Sequence, residues 1–118
     1  MEEIAKEFNQ HLTDLIDLLV AIYPDDKIIC SLQMKVSMMV DHLPYKAIDS
    51  ARPHIVKYAK QIVARDATLF VEGKLKLTDD KEVIELTKLL QKYWGTMTDA
   101  IHGVIFDHIH NMLSLCAK

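Results

Sequence analysis

Three histidines and two aspartates fall in the last twenty residues: Asp99, His102, Asp107, His108 and His110. Imidazole and carboxylate at i, i+3 on one helix face can hold a metal ion together. Asp99/His102 and Asp107/His110 have that spacing. His102 and His110, however, lie about 80° apart around a helix, and His108 falls on an apolar stripe. A structural zinc site takes four ligands, commonly cysteines or a closely spaced histidine pair, and this pattern supplies no such set. The expectation is His108 facing the core, His102 and His110 in solvent, and neither metal nor cofactor. His11 and Asp14 share the i, i+3 spacing, with Asp17 further along. They read as the solvated face of an acidic helix.

Other chemistry is thinner still. Cys30 and Cys116 sit among apolar residues and read as small buried hydrophobes in a reducing compartment. His42 lies more than three helical turns from Cys30, so no nucleophile–base pair is visible. The three glycines, Gly73, Gly95 and Gly103, are isolated and make no phosphate loop. Asp25-Asp26 and Asp79-Asp80 stand at helix starts, where capping explains them. No catalytic residue is assigned, and the chain is expected not to be an enzyme.

Two surfaces remain. Arg52, Lys57, Lys60 and Arg65 form a basic stretch with Tyr58 beside it, the footprint of phosphate contact. The net charge of the chain is -3, which argues against a nucleic-acid binder. Met34 and Met38 widen the apolar arc of the second helix, and Tyr93-Trp94 are of the types that anchor interfaces. Met34, Met38, Tyr93 and Trp94 are therefore the expected protein-contact residues, although Trp94 also suits a core.

The elements that position these groups are helices. At 118 residues the chain is expected to form one domain, 1–118. Ile4, Phe8, Leu12, Leu15, Ile16, Leu19 and Ile22 mark a first helix from about Glu2 to Ile22, closed by Tyr23-Pro24. Asp25 or Asp26 caps a second, with Ile28, Ile29, Leu32, Val36, Met39, Val40 and Leu43 as its buried face, ending at Pro44. A short helix to Ala51 is expected next. Pro53 should then break or kink the chain, and a main third helix should run to Phe70, burying Ile55, Val56, Ala59, Ile62, Val63 and Leu69 or Phe70. Gly73 suits a helix stop. Residues 74–78 read as a loop, and Asp79 with Glu82 resembles a capping box.

The last stretch carries apolar residues in steps of three and four: Leu86, Leu90, Tyr93/Trp94, Met97, Ile101, Val104/Ile105, His108, Met112 and Leu115. It is either one helix from Asp80 to Leu115 or two, bent or broken at Gly95 with Thr96 or Thr98 as a new cap. The broken form is favoured. The expected fold is all-α: a four- to five-helix bundle with a Pro-kinked third helix and a long C-terminal helix. The longest apolar run, Leu18 to Tyr23, is too short to span a membrane. Met1-Glu2-Glu3 has the wrong charge for a secretory leader.

Charge is unevenly placed. Residues 1–26 hold seven acids and one base, whereas residues 44–66 hold five bases and two acids. Opposite signs favour adjacent packing through weak surface pairs.

Three segments resemble small helical proteins of the nucleocytoplasmic large DNA viruses, the algal and amoebal giant viruses. They are Phe8-Asn9-Gln10-His11-Leu12 through Tyr23-Pro24-Asp25-Asp26; Ile62 to Asp66 with Leu69-Phe70; and Leu89 to Trp94 with Ile101 to Leu113. The resemblance implies a viral setting, either a cytoplasmic virus factory in the host or the virion, and carries over no catalytic residues. His102, His108 and His110 stand where a more aromatic and basic helix is expected. The functional expectation is a non-enzymatic viral protein acting by protein–protein contact, as a minor virion or capsid-associated component or an adaptor. Its partner would be a viral structural protein, a host protein or a second copy of this chain. Nucleic-acid or nucleoprotein binding through residues 52–65 is the alternative, and a metal-dependent enzyme using the C-terminal histidines is the third reading.

Overall fold

The computed structural model describes residues 2–71, 75, 76, 78 and 80–118, and among them there is no strand. The helices are α1 (Glu2–Ile22), α2 (Lys27–His42), α3 (Lys46–Ile55), α4 (Ala59–Val63), α5 (Thr68–Val71), α6 (Lys81–Tyr93) and α7 (Asp99–Cys116). Short 3-10 turns at Val56–Tyr58 and Trp94–Thr96 join α3 to α4 and follow α6. The expectations for Gly73 and for an Asp79 cap fall outside the described residues.

The first helix is central. Its stripe of Phe8, Leu12, Leu15, Ile16 and Leu19 is buried. It packs against α7, α2 and α3. Burying each large aliphatic side chain contributes about 1.5–3 kcal/mol, so this stripe is the main source of cohesion. Asn9, also buried, donates from Nδ2 to the carbonyl of Pro44 at 2.8 Å and so holds the α2–α3 corner against α1.

Asp26 caps α2, accepting from the amides of Ile28 and Ile29. It also accepts a hydrogen bond from the Tyr93 hydroxyl. The Tyr93 ring stacks on Tyr23 at 4.0 Å, and the Tyr23 hydroxyl meets Thr96 Oγ1 at 2.6 Å. The α1–α2 corner is thus docked on the end of α6. The Tyr93 hydroxyl, with the Ile29 amide next, holds the Asp26 carboxyl below its ordinary value of 3.8. A depressed folded-state value adds stability that is present above the unfolded-state value and is lost as pH falls through the folded one. Stability is therefore expected to drop on acidification below about pH 4. Asp26→Asn keeps the cap but should make that drop shallower, read from urea melts across the acid range; an unchanged slope would remove Asp26 from the account.

The region after Pro44 differs from the sequence-based expectation. Pro53 lies inside α3, which ends two residues beyond it in a 3-10 turn, and no single helix spans 53–70. Residues 59–63 form one short helix and 68–71 another. Between them Arg65 adopts φ 54°, with its amide bonded to Ile62 O and that of Asp66 to Gln61 O. This is a left-handed helix stop of Schellman type, built without glycine. The resets of phase explain why Val56 and Val63 face solvent while both Leu69 and Phe70 are buried. On α2, Ile28 and Leu43 are likewise exposed, since they flank the buried line of Ile29, Leu32, Val36 and Met39.

Asp80 caps α6, accepting from the amides of Glu82 and Val83. Its buried carboxylate lies 3.4 Å from Lys46 Nζ, which joins the starts of α3 and α6. The C-terminal stretch is broken, not continuous. Met97 is extended, and Thr98 starts α7 by accepting from the Ile101 amide. A Cβ on Gly95 would meet nothing within 4 Å, so the break owes little to glycine. It is fixed by Trp94, which is buried in a stack with Phe70 at 4.2 Å and His102 at 3.9 Å, edge-on to Phe106.

Candidate functional sites

Of the four contact residues expected from sequence, the structure exposes two. Met34 and Met38 are 68% and 61% accessible on the outer side of α2. Trp94 is a core residue, and Tyr93 is half-buried between Tyr23 and Asp26. Neither aromatic therefore offers a free face, because the α6–α7 break turns both inward.

Met34 and Met38 are one helical turn apart and so project side by side. They line a groove of about 410 Å³ between α1 and α2, with Thr13, Ile16 and Asp17 across from them. Gln33 Nε2 donates to Asp17 Oδ1 at 2.8 Å, an exposed bond between two residues that line it. A second depression, of about 300 Å³, carries the surface past Met38 to Leu43, Lys46 and Glu82. Leu43 is also exposed. The result is an apolar strip along α2 between an acidic helix and a mixed-charge rim.

The four cations of the basic stretch are not equivalent. Arg65 reaches α7, donating to the Gly103 carbonyl at 3.1 Å and pairing with Asp107. Arg52 is 3.7 Å from Asp49. Lys57 and Lys60 are exposed on the 3-10 turn and α4. Half of the predicted basic patch is therefore matched to carboxylates within the fold.

The C-terminal histidines take three different roles. His102 is not in solvent as expected. Its ring lies flat on Trp94, and its Nε2 is 2.8 Å from the Trp94 carbonyl oxygen, which closes the α6–α7 corner. His110 is exposed. His108 is half-buried and meets His11 of α1, with their Nδ1 atoms 2.9 Å apart. Burial first, then the neighbouring His11, lowers the pKa of His108 below its usual 6.5. Asp14 lies one turn on from His11. One ligand atom from each of His11, Asp14 and His108 falls within 4.8 Å of the others. Gln10 Nε2 donates to Asp14 Oδ1 at 2.8 Å and orients that carboxylate.

The i, i+3 pair of His11 and Asp14 and the stripe position of His108 were each visible in the sequence. What joins them is the packing of α7 on α1, across 97 residues. Cys116 is buried, and burial pushes its thiol up to about 11, so it is a packing residue rather than a nucleophile.

Comparison with family models, curated proteins and solved structures returned no match. Among the described residues no helix is long and apolar enough to cross a membrane.

Proposed function

We propose that this chain acts by protein–protein contact through the outward face of α2, as a non-enzymatic viral protein. An adaptor or a minor virion component is its concrete form, in the virus factory or the particle. The viral setting rests on the three sequence segments resembling giant-virus proteins. The contact reading rests on one observation: two methionines one turn apart, each more than half exposed, beside a groove between α1 and α2. Unbranched thioether side chains adapt to partners of varied shape, and a continuous apolar strip on a small protein marks a contact surface.

The partner chemistry follows from the rims. Asp17 lines the groove from α1, a helix that carries five acids (Glu2, Glu3, Glu7, Asp14 and Asp17) and one base, Lys6. An amphipathic helix with an apolar face and a basic edge fits such a groove. The test uses wild-type bait and the double variant Met34→Glu/Met38→Glu in infected-cell extract, with light scattering on each purified protein. Proteins captured by wild-type and lost by at least tenfold with the variant support the proposal. Equal capture by both overturns it. Salt-sensitive retention on DNA, lost in Lys57→Glu/Lys60→Glu, would overturn it in favour of nucleic-acid binding.

A further inference from the structure

We propose that His11, Asp14 and His108 form a binding site for a divalent transition-metal ion of the zinc class, clipping α1 to α7. The ligand set is two imidazole nitrogens and a carboxylate, the combination that zinc, cobalt(II) and nickel(II) favour over calcium or magnesium.

The packing of α7 on α1 gathers the ligands, one atom from each lying within 4.8 Å of the others. Two nitrogens bound tetrahedrally at about 2.0–2.1 Å from one metal stand about 3.3 Å apart. The two Nδ1 atoms here are 2.9 Å apart and point at each other, so the rings must turn as well as separate for both lone pairs to meet one ion, and the Asp14 carboxylate, within 4.8 Å, must close on it too. Without metal, one Nδ1 carries the proton and the other accepts it. With metal, both rings carry their proton on Nε2 and both Nδ1 lone pairs face the ion. That change is a tautomer shift with no net proton released from neutral rings.

The supporting shell is also present. Gln10 holds one oxygen of Asp14, the kind of outer hydrogen bond that fixes a ligating carboxylate. His11 and Asp14 come from one rigid helix and His108 from another, and the two helices are packed along their length. The site is half-buried, so an ion can enter from solvent. Three protein ligands leave a fourth position for water or an exogenous group. The role assigned is a clamp between the first and last helices of the bundle.

The test is titration of chelator-stripped protein with Zn(II), and with Co(II) as a spectroscopic probe. The expected result is one equivalent bound, visible Co(II) absorption of a four-coordinate site, and a melting temperature that rises with metal and returns on adding EDTA. His11→Gln and His108→Gln, on different helices, should each abolish the Co(II) spectrum and the thermal shift while keeping helical circular dichroism. His110→Gln and His42→Gln should leave both intact. No stoichiometric binding by the wild-type protein overturns the proposal without recourse to any variant. So does a Co(II) spectrum that survives His11→Gln or His108→Gln, or one that disappears with His110→Gln.

Discussion

Leu12→Asp will leave the chain unfolded at ordinary temperature, whereas Met34→Asp will fold as wild type. Leu12 is 0% exposed at the middle of α1, facing a core that both α2 and α7 help to build. The substitution removes a buried isobutyl group, at about 2–5 kcal/mol. It also places a carboxylate among apolar side chains, at several kcal/mol more. Those costs together match the whole stability of a typical domain, about 5–15 kcal/mol. Met34 stands in solvent on α2, where substitutions usually change stability by about 0.5 kcal/mol or less. Circular dichroism and thermal melts of the two variants settle the matter. A folded Leu12→Asp, or an unfolded Met34→Asp, would mean that the ridges do not cover one another in this way.

The second large effect concerns the corner between α6 and α7. Phe70→Ala should lower stability by about 3–5 kcal/mol, the usual cost of deleting a buried phenyl ring. It should also shift the emission of Trp94, the one tryptophan of the chain, toward that of solvent-exposed indole. Phe70 is 1% exposed, stacks on Trp94 and meets Phe106 edge-on at 5.6 Å. With Leu69 it is one of the two buried residues that tie the four-residue α5 to the rest of the fold. A helix that short has no stability of its own, so losing the ring should release the α5 turn as well. Urea unfolding followed by Trp94 fluorescence reads both effects. A loss under about 1 kcal/mol with unchanged emission would show that the stack is incidental.

The sequence made long, uninterrupted stripes legible and short, interrupted ones much less so. The bounds of α1 follow directly from Glu2, Tyr23-Pro24 and the apolar spacing, because nothing resets the phase over twenty-one residues, and of the two caps the sequence allowed for α2, Asp25 and Asp26, the structure uses Asp26. The 53–70 segment fails for the opposite reason. The turns at Val56–Tyr58 and Arg65 each rotate the next stretch of chain, so a single helical wheel assigns Val56 and Val63 to the wrong side. Arg65 also hides the stop at residue 65, since a left-handed position without glycine carries no local signal. Its side chain, tied to Gly103 and Asp107 on α7, supplies the reason an arginine stands there.

The candidate sites divide along the same line. Met34 and Met38 could be read from their place off the α2 stripe, a local property. Trp94 suited either a contact or a core position and the structure buries it, whereas the place of His102 could not be read, because the break between α6 and α7 stacks its ring on Trp94. The meeting of His11 with His108 depends on tertiary packing and leaves no trace in the spacing of either helix.

The most direct measurement is side-by-side capture with wild-type and Met34→Glu/Met38→Glu bait, both verified as folded. The account predicts that a discrete protein, or a second copy of the chain, is retained by the first and released by the second. Recovery of the same proteins at the same yield on both would contradict a role for the outward face of α2.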